Sequence, residues 1–286
     1  MTRKSCAAGT LSRLSAFAEV TGGGNPAGVW VGDELPDEAS MQKIAAEVAY
    51  SETAFLAPLA DRVWRVRYFS PKCEVTFCGH ATIAAGAVLA KGETPCELQL
   101  ETPVGRVPLS VRRKSGRVEV SLTSVTPSHE LADDTTLTDI LGALRWRRED
   151  LDASIPPARI FAGAWHLVLA VKTQKQLASL EYAFESLRQL MLREDLATLQ
   201  LIWRESVNLF HSRNPFPVGG VVEDPATGAA AAALGGYLRD AGLLETPAIL
   251  EVRQGETMGR PSVITVNVPK TGGITITGSV VEITGP

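Results

Sequence analysis

The chain is short of the residues that build metal centres and disulfide frameworks. Its 286 residues include four histidines and four cysteines, and no two cysteines form a CxxC pair. It has no dense basic run, and 28 lysines and arginines against 32 acidic residues give a net charge of -4. These shortages argue against a zinc site, a disulfide scaffold and a nucleic-acid partner.

Long hydrophobic runs are also missing. The longest, at 81–90 and 229–234, are too short to span a bilayer, and the mixed, polar start of the chain is unlike a secretory signal. We therefore expect a cytoplasmic protein with no membrane partner. A hydrophobic content of 45% allows one large domain or two of ordinary size.

One helix and the strand after it are well defined by their periodicity. Apolar residues at i, i+3, i+4 and i+7 from Met41 predict an amphipathic helix over 37–50. The following segment, 51–56, predicts a strand, and its period of two places Glu52 on the same face as two apolar side chains.

Other strands and helices divide the chain into two halves. A connection rich in proline, aspartate and threonine at 123–157 contains the predicted boundary, which gives halves of 1–125 and 126–286. The last strand, near 275–286, is a candidate to return to the first half. The remaining strands are predicted at 11–20, 27–31, 63–69, 96–102, 105–112, 117–122, 160–171, 199–203 and 205–211 and over 250–283, with a further helix at 182–194.

The two halves repeat one local pattern. A strand at 67–69 leads to C-G-H-A-T at 78–82 and then to an apolar helix, while a strand at 209–211 leads to D-P-A-T-G at 224–228 and a second apolar helix. The second helix is predicted at 226–236. A helix that is apolar all round is a buried helix, so we expect each to be wrapped by the sheet of its own half. Their starts carry free N–H groups that attract anions.

Four short motifs span almost the whole chain. They are G-N-P-A-G-V at 24–29, S-E-T-A-F at 51–55, C-G-H-A-T at 78–82 and E-D-P-A-T-G-A at 223–229, followed by Q-G-E-T-M-G-R at 254–260. In this order and spacing they resemble the motifs of the PhzF-like (phenazine biosynthesis) family. The resemblance implies an α+β fold of the diaminopimelate epimerase-like type, in which two similar halves each wrap an antiparallel β-sheet or barrel around a central apolar helix. It also implies an active site between the halves.

The same resemblance implies three catalytic residues. Glu52 is expected to be the acid/base that moves a proton, with His80 and Asp224 as its polar companions. A carboxyl beside apolar neighbours is desolvated, which raises its pKa towards neutrality and suits it to that task. Taken alone, each residue has a simpler interpretation: an exposed carboxylate for Glu52, a packing or capping residue for His80, and a helix cap for Asp224.

Four further positions are predicted to bind substrate. The resemblance implies that the backbone near Gly79 and Gly228 holds a substrate carboxylate. Ala229 stands where many family members carry serine, so a substrate hydrogen bond is expected to be missing there. Asn25 follows three glycines, which is typical of a turn residue, and it is included as a binding candidate.

Cys78 invites comparison with related racemases that use two thiols on opposite faces of a carbon. The matching segment, 224–228, contains no cysteine. Two-base inversion is therefore disfavoured, and Cys78 is interpreted as a small buried residue.

The function expected from these features is that of an isomerase. It would move a proton within a small carboxylate, similar to dihydro-3-hydroxyanthranilate in the best-known family activity, without metal or organic cofactor and as a homodimer. The alternatives are an amino-acid racemase or epimerase, which needs a second base, and a non-catalytic protein that binds small molecules or other proteins.

Overall fold

The computed structural model describes residues 8–90, 92 and 94–284, so the first residues of the predicted N-terminal half and the last two of the predicted C-terminal strand lie outside it. Two compact units account for the chain. The first runs to Thr123 and resumes at Gly278, and the second spans Ser124–Thr277.

The first unit consists of strands interrupted by two helices. Its elements are β1 (Gly9–Ala16), β2 (Asn25–Gly32), α1 (Glu38–Val48), β3 (Glu52–Ala60), β4 (Val63–Phe69), β5 (Glu74–Val75), α2 (Gly79–Leu89), β6 (Cys96–Thr102), β7 (Gly105–Lys114) and β8 (Arg117–Thr123).

The second unit has the same succession with two added helices. Its elements are β9 (Ser128–Leu131), α3 (Asp134–Leu144), β10 (Ala158–Phe161), β11 (Trp165–Val171), α4 (Gln174–Ala178), α5 (Phe184–Arg193), β12 (Thr198–Arg204), β13 (Leu209–Pro215), β14 (Glu223–Asp224), α6 (Gly228–Asp240), β15 (Ala248–Gln254), β16 (Ser262–Val268) and β17 (Thr275–Glu282), whose end belongs to the first unit.

Strand pairing closes the first unit into a barrel. β1 pairs antiparallel with β2, β2 parallel with β3, β3 antiparallel with β4 and β4 parallel with β6. β7 and β8 continue the sheet in antiparallel fashion, and the end of β17 pairs with both β8 and β1. Eight strands thus form a closed ring with no exposed edge.

The second unit repeats that order of pairings. β10 is antiparallel to β11, β11 parallel to β12, β12 antiparallel to β13 and β13 parallel to β15, after which β16 and β17 follow antiparallel. β9 pairs with β10 just as the end of β17 pairs with β1. The predicted α+β fold of two similar halves is confirmed.

Each unit packs its sheet around one helix that is almost wholly buried. α2 contacts five of its strands, and α6 contacts strands of its own unit in the same way. Small residues let the sheet approach closely: a Cβ added at Gly86 would stand 2.7 Å from Val120 Cγ1. None of the helices within the described residues is long and apolar enough to cross a membrane.

Several predicted elements differ from the structure. The strand predicted at 160–171 is two strands, because the chain turns at Gly163, whose φ is +115°. The strand predicted at 205–211 begins at Leu209 and continues to Pro215, and α6 begins at Gly228 rather than at position 226. The first strand ends at Ala16, before the predicted position 20.

The connection at 123–157 holds a helix that its composition does not predict. α3 buries Leu137, Ile140, Leu141 and Leu144, which follow the i, i+3, i+4, i+7 rule. Asp133 accepts a hydrogen bond from the backbone N–H of Thr136 and caps the helix start. The first turn of α3 is polar, and this masks the helical spacing of the apolar residues that follow it.

Replacement of Ile140 tests the contribution of this helix. Ile140 is fully buried in the core that α3 shares with α5, so Ile140→Ala should lower the free energy of unfolding by about 2–5 kcal/mol in urea titrations. Thr138→Ala, on the exposed face of the same helix, should change it by less than about 0.5 kcal/mol. Equal effects of the two substitutions would contradict the packing described.

A polar cluster lies inside the second unit. His166 Nδ1 stands 2.8 Å from Thr198 Oγ1, and Asn214 donates to Thr198 Oγ1 at 3.2 Å and to Gln200 Oε1 at 2.6 Å. All four side chains are buried. Burial lowers the pKa of His166 from 6.5 to about 3, although a hydrogen bond with the backbone of Thr198 opposes that change. The imidazole of His166 is therefore neutral in the folded protein.

The titration of His166 should make the free energy of unfolding depend on pH. Below its ordinary pKa of 6.5, His166 binds a proton in the unfolded chain but not in the folded one until the pH approaches 3. The neutral His166 therefore stabilises the fold fully above pH 6.5, and this contribution to the free energy of unfolding is lost as the pH falls below 6.5, by up to about 1.4 kcal/mol per pH unit. His166→Gln should remove this component from unfolding free energies measured between about pH 6.5 and pH 4.5. The control His129→Gln should keep it, and wild-type slopes in both variants would refute the assignment.

Candidate functional site

Glu52 occupies the first position of β3 and lies opposite Ala27 of β2. Ala54 and Leu56, two and four residues further on, are fully buried on the same side of the strand, while Phe55 packs on the other side among the residues near α1. The period of the strand thus directs Glu52 towards the barrel interior at its rim. Its side chain keeps 15% of its surface exposed.

Glu52 meets the start of α2 in a tight group of side chains. Its Oε2 stands 3.3 Å from His80 Nε2 and 3.5 Å from Cys78 Sγ. The sulfur is in turn 3.4 Å from His80 Nδ1, and Ser51 Oγ is 3.3 Å from His80 Nε2. The structure therefore brings two predicted site residues together and adds two that the sequence did not assign to the site.

The first turn of α2 is fixed by a buried tyrosine of β4. Tyr68 shares a 2.6 Å hydrogen bond with Thr82 Oγ1, and that hydroxyl donates to the carbonyl oxygen of Cys78 at 2.7 Å. Tyr68 is fully buried, and this burial raises the pKa of its phenol well above its ordinary value. The chain of bonds holds Cys78 and His80 in place.

The electrostatic state of Glu52 follows from its burial. Desolvation raises the pKa of Glu52, while hydrogen bonds with Ser51 and Cys78 oppose that rise. The nearby start of α2 carries partial positive charge, which also favours the carboxylate. A carboxyl held between these opposing influences can take up a proton and give it back.

Cys78 has more contacts than a simple core residue. The sequence predicts a small buried residue, and the side chain is indeed buried, with 8% of the residue exposed. Its thiol nevertheless touches both Glu52 and His80. The signal for this was its position directly before the helix start, two residues from His80.

The other predicted residues of the first unit are Gly79 and Asn25. Gly79 is the first residue of α2, and a Cβ added to it would meet no described atom within 4 Å, so its backbone borders open space. Asn25 begins β2 and is 1% exposed. The turn before it needs glycine, because Gly24 has a φ of +74° and a Cβ there would stand 2.5 Å from Ala16 O.

Asp224, Gly228 and Ala229 lie in the second unit. Asp224 Oδ2 accepts a hydrogen bond of 2.6 Å from Thr227 Oγ1. The N-cap of α6 is Thr227, so the interpretation of Asp224 as the helix cap is wrong. Gly228 is the buried first residue of the helix, and Ala229 is half-buried.

Gln254 organises the loop that carries Asp224. Its Nε2 donates to Asp224 O at 2.6 Å, and its Oε1 accepts from Thr227 N at 3.1 Å. Gly255 follows with a φ of +75°, and a Cβ there would stand 2.7 Å from Pro225 O. The motif at 254–260, to which the sequence assigned no role, thus supports the loop at 224–228.

Three donors in the first unit could also hold a cation. A carboxylate oxygen of Glu52, the sulfur of Cys78 and an imidazole nitrogen of His80 lie within 4.8 Å of one another. The equivalent position before α6 is Thr227, so a thiol is present at the start of one barrel helix and a hydroxyl at the start of the other.

Known proteins resemble the chain along most of its length. The family model of phenazine biosynthesis-like proteins, PhzC-PhzF, matches residues 14–285. An uncharacterized isomerase of Deinococcus radiodurans is 34% identical over 91% of this chain and 87% of its own length. The uncharacterized isomerase YddE of Escherichia coli K12 is 31% identical over 89% and 88%, respectively.

Solved structures agree with these relatives. A predicted epimerase from Pseudomonas aeruginosa superposes with a TM-score of 0.85 at 25% identity, covering 96% of this chain and 97% of that one. A PhzF family protein of Bacillus anthracis gives 0.84 at 25% identity, covering 96% of each chain. A hydroxyproline epimerase of Agrobacterium vitis, at 16% identity and a TM-score of 0.64 over 96% of this chain and 90% of its own, shares the fold.

The motifs, the repeated barrels and the length of these matches lead to one conclusion. The chain belongs to the PhzC-PhzF family of phenazine biosynthesis-like proteins and is an isomerase of that family.

Proposed function

We propose that this isomerase moves a proton between positions of a small carboxylate substrate, with Glu52 as the acid/base. The observation that carries the proposal is the position of the Glu52 carboxylate at the barrel rim, 3.3 Å from His80 Nε2 and largely removed from water. No cofactor has a part in the step. Glu52 takes the proton from one carbon and returns it to another.

His80 acts as the polar partner of Glu52. Its Nε2 can donate to the carboxylate after Glu52 has delivered its proton, and the ring is held by contacts with Ser51 and Cys78 on either side. A hydrogen bond to the charged form offsets part of the cost of burying it. The ring thereby keeps one carboxylate oxygen oriented for the next transfer.

The start of α2 is the proposed binding site for the substrate carboxylate. Gly79 borders open space, and the first N–H groups of a helix bind anions. Asn25 completes the proposed set within this unit, while the roles of Gly228, Ala229 and Asp224 stay predictions from the motifs of the second unit. A ring carboxylate similar to that of dihydro-3-hydroxyanthranilate fits this chemistry.

The position of Cys78 argues against it as the second base that inversion would need. Inversion needs two bases on opposite sides of a carbon, but Cys78 Sγ stands only 3.5 Å from Glu52 Oε2. Two side chains this close to each other would approach a substrate from the same side. Cys78 therefore cannot serve as the opposing base to Glu52.

Proton exchange in deuterated water tests the proposal. Wild-type enzyme should introduce deuterium into dihydro-3-hydroxyanthranilate or another member of a panel of small amino and unsaturated carboxylic acids, as followed by NMR. Glu52→Gln should slow the exchange by at least roughly 100-fold, because a neutral amide cannot accept the proton.

Glu97→Gln is the matched control. Glu97 is an exposed glutamate on β6 of the same unit, and its replacement should leave the exchange rate unchanged. Unchanged melting temperatures would show that both variants fold. Exchange at the wild-type rate in Glu52→Gln, or none across the panel with wild type, would contradict the proposal.

A further inference from the structure

We propose that Glu52, Cys78 and His80 form a binding site for a thiophilic divalent cation, for which Zn²⁺ is the best match, and that its occupation stops the enzyme. The two parts are separable. The inhibition rests on the proposed function of Glu52, whereas the binding site rests on the donor geometry alone.

The separations of the three donor atoms fit a tetrahedral zinc ion. With Zn–S of about 2.3 Å and Zn–N and Zn–O of about 2.1 Å, tetrahedral donors stand about 3.6 Å apart on edges that include sulfur and about 3.4 Å apart between nitrogen and oxygen. The observed edges are 3.7 Å from His80 Nε2 to Cys78 Sγ, 3.5 Å from Cys78 Sγ to Glu52 Oε2, and 3.3 Å from His80 Nε2 to Glu52 Oε2. The sulfur also stands 3.4 Å from His80 Nδ1, so the imidazole ring must turn before its Nε2 lone pair points at the ion.

The chemistry of the donors selects the cation. Thiolate, imidazole and carboxylate together suit Zn²⁺, while Mg²⁺ and Ca²⁺ prefer a shell of oxygens. Three protein ligands leave the fourth tetrahedral position for water. As the ion binds, the S–H bond of Cys78 breaks, its proton passes to solvent, and a Zn–S bond forms in its place; a proton carried by Glu52 is released in the same way when its oxygen binds the ion.

Charge balance supports the site despite the helix start beside it. The positive end of α2 disfavours a cation, but the same end stabilises the Cys78 thiolate. One thiolate and one carboxylate neutralise the two charges of Zn²⁺. The occupied site is therefore electrically neutral.

The site is also anchored and reachable. The turn that carries Cys78 and His80 is tied to Tyr68 through Thr82, so two ligands sit on fixed backbone. The side chains of Glu52 and His80 keep 15% and 8% of their surface exposed, so both still touch solvent. With Oε2 bound to zinc, the Glu52 carboxylate becomes much less basic, and it should no longer take a proton from the substrate.

Metal binding by tag-free protein tests the site without a turnover assay. Competition of Zn²⁺ with a chromogenic chelator should show one tight site per chain. Cys78→Ala and Glu52→Gln should each weaken it by more than the roughly 10–100-fold typical of losing an outer-shell partner. Cys73→Ser, which changes an exposed cysteine of the same unit, should bind as wild type.

Cobalt substitution identifies the sulfur ligand. Co²⁺ added to wild type or Cys73→Ser should give a thiolate-to-cobalt charge-transfer band, and Cys78→Ala should lack it. Melting temperatures measured without metal check folding, and Cys78→Ser serves as a second variant that keeps a hydroxyl. Failure of wild type to bind Zn²⁺, or equal binding and an unchanged cobalt band in Cys78→Ala, would overturn the site.

The inhibitory part has its own measurement. Zn²⁺ should abolish the solvent deuterium exchange of wild type, and a chelator should restore it. Exchange that continues with the zinc site filled would overturn the inhibition while leaving the binding site intact. Loss of exchange in Glu52→Gln without metal tests the proposed function separately.

Discussion

The enclosure of an alanine- and glycine-rich helix inside a barrel is the constraint on which the rest of the first unit depends. α2 has no polar face, so it is stable only where sheet surrounds it. Its small side chains let strands approach until no atom could be added at Gly86 without displacing Val120. Because the helix is fixed, so is its first turn, and that turn delivers Cys78 and His80 to the rim where β3 begins.

The position of Glu52 at the rim of the barrel also has an electrostatic consequence. A carboxyl at the rim of an apolar barrel loses much of its hydration, which favours its neutral form, whereas Ser51, Cys78 and the helix start favour the charged form. Desolvation is the larger of the two influences, so the pKa of Glu52 lies above its ordinary value. The opposition keeps Glu52 able to exist in both states, which acid/base catalysis requires, and the same donors have the spacing of a zinc site.

Much of the fold followed from periodicity and internal repetition. The apolar helices and the strand that carries Glu52 could be predicted because period and burial coincide there. The composition of 123–157 does not predict α3, because a polar capping region precedes its apolar stripe. The run at 160–171 predicts one strand, because only a single glycine turn interrupts otherwise apolar residues.

The candidate site was less predictable than the fold. Glu52 and His80 came from motifs, and their proximity follows from the pairing of strands with a central helix. Cys78 looked like a core residue because sequence alone cannot say where its thiol points. The support that Gln254 gives to the loop of Asp224 depends on a contact across 30 residues, which no local pattern reveals.

The stereochemical course of the reaction in deuterated water tests the central claim most directly. If Glu52 is the single acid/base, the proton should leave and the deuteron arrive on the same face of the substrate. NMR of the chirally labelled product distinguishes the two faces. Delivery to the same face is the result predicted here, and delivery to the opposite face would show a second base and contradict the account.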